Sequence, residues 1–117
     1  MIKGQVVSIF ATMKPGVFCD TQSIKKYLCR SSKGMLKIVR LRHRSYRADY
    51  IGVVDADGEV KQSDYNALAT IIAGVPVYGN MVIFRKGKGR AFTGLLPLDR
   101  EYILKITNEL INIEEMA

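Results

Sequence analysis

With 117 residues, a formal net charge of +7 and 48% apolar residues, the chain has the size and make-up of one folded domain rather than a disordered polymer. No apolar run approaches the roughly 20 residues of a membrane-spanning helix. The first ten residues lack the basic start, long apolar stretch and cleavage site of a secretion signal, so a cytoplasmic protein is expected.

In chain order, Gln5 to Ala11 is β-rich and reads as a first strand, with Lys14-Pro15-Gly16 as the turn that breaks it. Asp20 or Thr21 suits the cap of a short helix whose apolar stripe is Ile24, Tyr27 and Leu28. Met35 to Arg44 is the next strand. Its period of two places Leu36 and Ile38 on one face with Arg40, Arg42 and Arg44, a comb of cations about 6.5 to 7 Å apart. That spacing is close to the repeat of phosphates along a nucleic-acid strand, but an edge strand guarded by charge shows the same pattern.

Tyr50 to Val54 is another strand. The Asp57-Gly58 pair predicts a hairpin to Glu59-Val60-Lys61. Ser63 is expected to cap a second helix with Tyr65, Leu68, Ala69 and Ile72 inward, ended by Gly74. Asn80 to Phe84 is almost unbroken apolar, the pattern of a central strand. Arg85 to Arg90 is a basic, glycine-containing loop, and Ala91 to Leu96 is a short strand or irregular. Asp99 suits the N-cap of a last helix, with Leu98 stapled on Ile103 and Ile103, Ile106, Leu110 and Ile113 as its buried stripe. Strands and helices mix without regular βαβ alternation. The expected architecture is therefore a single α+β domain over residues 1–117, with a mostly antiparallel sheet of about five strands and two to three helices.

No catalytic constellation is recognisable. Cys19 and Cys29 match no metal spacing and are too few for a disulfide framework, so two reduced thiols are expected, at least one partly buried. His43 stands among Arg40, Arg42, Arg44 and Arg47, where cationic neighbours favour the neutral ring, and one histidine with two scattered cysteines does not complete a zinc site. Asp55-Ala56-Asp57-Gly58-Glu59 lacks the later ligands of a calcium loop. Lys86-Gly87-Lys88-Gly89-Arg90 is neither a phosphate-binding P-loop nor a dinucleotide fingerprint. No cofactor and no metal are expected.

The charge is not spread evenly. Residues 21–48 hold nine basic side chains and no acid, and Arg85, Lys86, Lys88 and Arg90 add four, so 13 of the 18 cations lie in two segments. Residues 49–64 and 99–117 carry five acids each. If the basic segments meet, Arg40, Arg42, Arg44, Arg47, Arg85, Lys86, Lys88 and Arg90 could hold several phosphates, with Tyr46 and Tyr50 available to stack on bases.

The helix ending near Leu28, Gly34-Met35-Leu36-Lys37-Ile38-Val39, Tyr50 to Gly58, Asn66-Ala67 and Gly79 to Phe84 together resemble the small bacteriophage and mobile-element domain of unknown function 3846. The arginine-rich stretch from Arg40 to Arg47 departs from that pattern. The resemblance implies a phage accessory protein without enzymatic activity and carries no site residue over. Small phage proteins of this kind commonly bind and block a host machine, defence systems included.

The leading expectation is a non-enzymatic binding or inhibitor protein, phage-encoded. It would act through its basic surface on a host protein or nucleoprotein complex, or on a phosphate-bearing ligand such as a nucleotide. A direct DNA- or RNA-binding regulator is the alternative. A metal-dependent nuclease using Asp55, Asp57, Glu59 and Asp64 is the third reading.

Overall fold

The computed structural model describes residues 1–42, 48–87 and 92–116. Among them the elements run β1 (Ile2–Val7), β2 (Met13–Phe18), α1 (Thr21–Cys29), β3 (Leu36–Arg40), β4 (Tyr50–Asp55), α2 (Ala67–Ala73), β5 (Met81–Arg85) and α3 (Pro97–Met116). The strands form one sheet in the order β2-β1-β5-β4-β3, with every neighbouring pair antiparallel. This is the expected α+β architecture, and β5 is central as its apolar run predicts.

Alternation along the strands explains why the sheet is buried on both faces. Val6, Val53 and Val82 lie in register and turn to one face, where Ile24 of α1 packs with Phe18, Ile51 and Phe84. Val7, Val54, Met81 and Ile83 turn to the other, under Leu68, Ala69 and Ile72 of α2 and Ile103 of α3. Neighbouring residues of β1, β4 and β5 thus serve opposite cores, which is why those strands read as nearly continuous apolar runs.

Each helix is fixed by its ends. The Asp20 carboxylate accepts from Ser23 N at 2.8 Å and starts α1. Gly74, at φ 74°, closes α2 by donating its N–H to Thr70 O. α3 buries Ile103, Ile106 and Leu110, while Ile113 and Leu98 stay 55% and 58% exposed. The expected staple between Leu98 and Ile103 therefore leaves Leu98 in solvent.

Four further expectations are corrected. Lys14-Pro15-Gly16 is not a turn but part of β2, opposite Val6, Gln5 and Gly4. β2 lies at the sheet edge, where a residue without an N–H costs the ladder least. A Cβ on Gly16 would approach Val6 Cγ2 to 2.8 Å, so glycine fits the strand there. The reversal falls earlier, where Ser8 N donates to Thr12 O and Ala11 takes φ 59°. The predicted strand from Met35 to Arg44 stops at Arg40, because Arg42 N donates to Ile72 O at the end of α2 instead of continuing the ladder. Glu59-Val60-Lys61 forms no strand, since both edges of β4 are occupied by β3 and β5. Finally, α2 is capped not by Ser63 but by Asn66. Its Oδ1 accepts from Ala69 N, while its Nδ2 donates to Val7 O and Gly79 O. Tyr65 precedes the helix, bridges to Tyr78 and is half exposed.

Among the described residues no helix is long and apolar enough to cross a membrane. Cys19 is exposed, Cys29 is buried, and both are free thiols.

Candidate functional site

β3 and β5 lie on either side of β4 and are both antiparallel to it, so they end together. Arg40 pairs with Ile51, and Arg85 pairs with the adjacent Tyr50. The two basic segments therefore meet at one end of the sheet, two strand spacings or about 10 Å apart. Alternation sends their side chains to opposite faces. Arg40 shares the α1 side with Ile51 and Phe84, and Arg85 shares the α3 side with Tyr50.

On the α3 side the charge is locked inside the protein. Asp99, fully buried in the first turn of α3, accepts from Arg85 Nε at 2.7 Å and Nη2 at 3.2 Å. It also accepts from Tyr50 Oη at 2.6 Å and Leu96 N at 2.7 Å. Burial by itself pushes the Asp99 carboxyl up, but the donors from Arg85, Tyr50 and Leu96 together outweigh it and bring the pKa to about 2. Asp99 in return raises the pKa of the Arg85 guanidinium. The forked geometry is that of a strong, directional pair. It joins β4, β5 and the start of α3, and it engages two groups that sequence reasoning offered to a ligand. Tyr50 is 8% exposed and bonded to Asp99, so it presents no ring for base stacking.

The outer cations are less constrained. Arg42 forms a surface pair with Glu114 at 2.7 Å, with both side chains more than 40% exposed, so water and salt compete with it readily. Arg40 and Lys86 are exposed, and neither side chain has a partner among the described residues. Lys86 is placed by its backbone, whose N–H donates to Asp49 O at 2.8 Å. Arg44, Arg47, Lys88 and Arg90, with His43 and Tyr46, lie outside the described residues.

The structure adds two cations that the charge runs missed. Lys3 stands in the first half of β1, and Arg100 stands beside Asp99 at the start of α3. Arg100 Nε donates to Gln5 Oε1 at 3.2 Å. Both residues are isolated in sequence, and only the β1–β5 register and the seating of α3 bring them to the basic end. The one available signal was the placement of Arg100 next to a predicted cap.

The opposite end of the sheet carries a wide groove of about 970 Å³ between the β1–β2 reversal, the end of α1 and the segment after β4. Asp55, Lys61 and Asn80 are tied internally, while Lys14 and Arg30 also line the groove, exposed and with no side-chain partner among the described residues. Lys61 Nζ donates to Asp55 Oδ2 at 2.9 Å and to Cys29 O at 3.3 Å, and Asp57 N donates to Asp55 Oδ1 at 3.0 Å. Burial pushes the Asp55 carboxyl up, but the Asp57 amide and Lys61 more than compensate and lower it. Burial and the nearby Asp55 charge push the Cys29 thiol up, which disfavours the thiolate. Asn80 Nδ2 donates to Tyr27 Oη at 3.0 Å. Asp55, the last residue of β4, thus holds the turn that follows it, as the Asp-Gly signal suggests. Among the described residues no three His, Cys, Asp or Glu side chains gather as metal ligands.

No known protein family, curated protein or solved structure matches the chain.

Proposed function

We propose that the protein is a non-enzymatic binder or inhibitor that engages a phosphate-bearing host target, a nucleoprotein or a nucleotide, through the basic end of its sheet. The observation that carries this reading is the common end point of β3 and β5, which brings two sequence-distant basic segments to one place. Arg40 and Lys86 are exposed and available to a ligand, and Arg42 joins them by exchanging Glu114 for a phosphate. Arg85 acts from behind, fixing the end of β5 against α3. A phage accessory role is part of this proposal and rests on the short sequence resemblance alone.

Binding of this kind releases counterions, so affinity falls as salt rises. The test is fluorescence anisotropy with labelled single- and double-stranded oligonucleotides, and with cyclic and linear nucleotides, across a salt series. The expected result is binding that weakens steeply between 50 and 200 mM salt, roughly in proportion to the phosphates engaged. No binding to any of these probes at low salt would sink the proposal.

A further inference from the structure

A second cavity, of about 320 Å³, lies on the α3 side of the sheet between β1, β2 and the segment leading into α3. Gln5 lines it and is completely buried. Its Oε1 accepts from Arg100 Nε, and its Nε2 has no hydrogen-bond partner among the described residues. The Arg100 bond fixes the orientation of the amide, because a flipped amide would set its NH2 against a guanidinium that has only donors. Buried side-chain amides are normally satisfied, so an unpartnered donor on a residue that lines a cavity is a specific feature.

The remaining lining completes a pattern. Arg100 keeps four further N–H groups without a partner among the described residues, and the exposed Lys3 stands at the same cavity. No acidic side chain lines it. The walls are apolar: Pro15, Leu95, and also Val17 and Leu96, which are 56% and 54% exposed. A pocket with apolar walls and a few converging polar groups of one kind is the usual form of a small-ligand site, and this volume is at the lower end of the usual range.

We infer that this cavity binds a small carboxylate with an apolar body. One carboxylate oxygen accepts from the exposed Arg100 guanidinium, the other from Gln5 Nε2 once the wall that closes this amide to solvent gives way, and the hydrocarbon or ring lies against Val17, Leu95 and Leu96. The planar fork of a guanidinium beside an amide suits a carboxylate, and the apolar walls disfavour a bare inorganic anion. This site does not depend on the nucleic-acid reading of the outer cations.

The test is a nitrogen–proton NMR titration of the full chain with octanoate, and with octanol and inorganic phosphate as probes of the two halves of the ligand. Octanoate is expected to move the Gln5 side-chain NH2 pair saturably, and Arg100→Gln to weaken binding about tenfold or more, the effect of losing a charge-assisted hydrogen bond. Gln5→Leu is expected to abolish it. If that variant does not fold, Arg100→Gln carries the test, because Arg100 is exposed. A Gln5 NH2 pair that stays still in millimolar octanoate overturns the proposal. So does equal binding of octanol or inorganic phosphate, or unchanged affinity in Arg100→Gln.

Discussion

The two ends of the sheet handle charge in different ways. At the groove end, Asp55, Lys61 and the Cys29 carbonyl close on one another, and Asn80 is tied to Tyr27. At the end where β3 and β5 finish, among the described residues Arg85 and Asp99 close the inner charge, while Arg40 and Lys86 face solvent and Arg42 holds a readily screened partner. Around Asp55, Lys61 and Asn80 the groove lining is already satisfied and offers little to a ligand, because each new contact must replace an internal one, whereas Lys14 and Arg30 at its rim are exposed. Unpaired cations above a rigid anchor can bind phosphate without that loss.

That contrast is open to direct attack. The largest effect should come from the anchor. Asp99→Ala leaves Arg85, Tyr50 Oη and Leu96 N without their acceptor and should cost about 3 kcal/mol of stability, read by urea denaturation. Next is pH. Asp99 ionises at about 2 when folded and near its ordinary 3.8 when unfolded. A lowered folded pKa gives stability that is fully present above the ordinary value and is lost as pH falls through 3.8 toward 2. This group should therefore account for about 2 kcal/mol of acid destabilisation, absent in Asp99→Asn.

Asp55→Ala removes the acceptor of the Asp57 amide and should cost about 1 kcal/mol while leaving binding at the other end unchanged. Arg42→Ala breaks an exposed pair and should change stability by less than about 0.5 kcal/mol. A larger loss would make Arg42 a structural residue like Arg85. Smallest in stability is the double change Arg40→Glu and Lys86→Glu. Melting should be nearly unmoved, while affinity for oligonucleotides drops and the salt slope shrinks by about two.

Much of this was legible in the sequence where local rules and packing agree. The caps at Asp20 and Gly74, the central β5 and the Ile103, Ile106 and Leu110 part of the α3 stripe follow from spacing alone, while Ile113 lies exposed. The misses share a cause. Pro15 reads as a turn because sequence does not reveal which strand is an edge. Glu59 to Lys61 reads as a strand because sequence does not show that β4 has both neighbours already. The convergence of Arg40 with Arg85, and the arrival of Lys3 and Arg100, depend on register between strands far apart in the chain. The ion pair of Arg85 was hidden for the same reason. Its partner Asp99 looks like a helix cap, and it does reach back to Leu96 N, but the same carboxylate also holds the end of β5.

The central claim is that the ligand meets the basic end and not the groove. NMR shift mapping of the labelled full chain with a short single-stranded oligonucleotide tests it most directly. Shifts concentrated at Arg40, Leu41, Arg42, Asp49, Lys86 and Gly87, with Ser8, Tyr27, Asp55 and Asn80 unmoved, are the predicted result. Shifts centred on Ser8, Tyr27, Asp55 and Asn80, or no shifts anywhere at low salt, would contradict it.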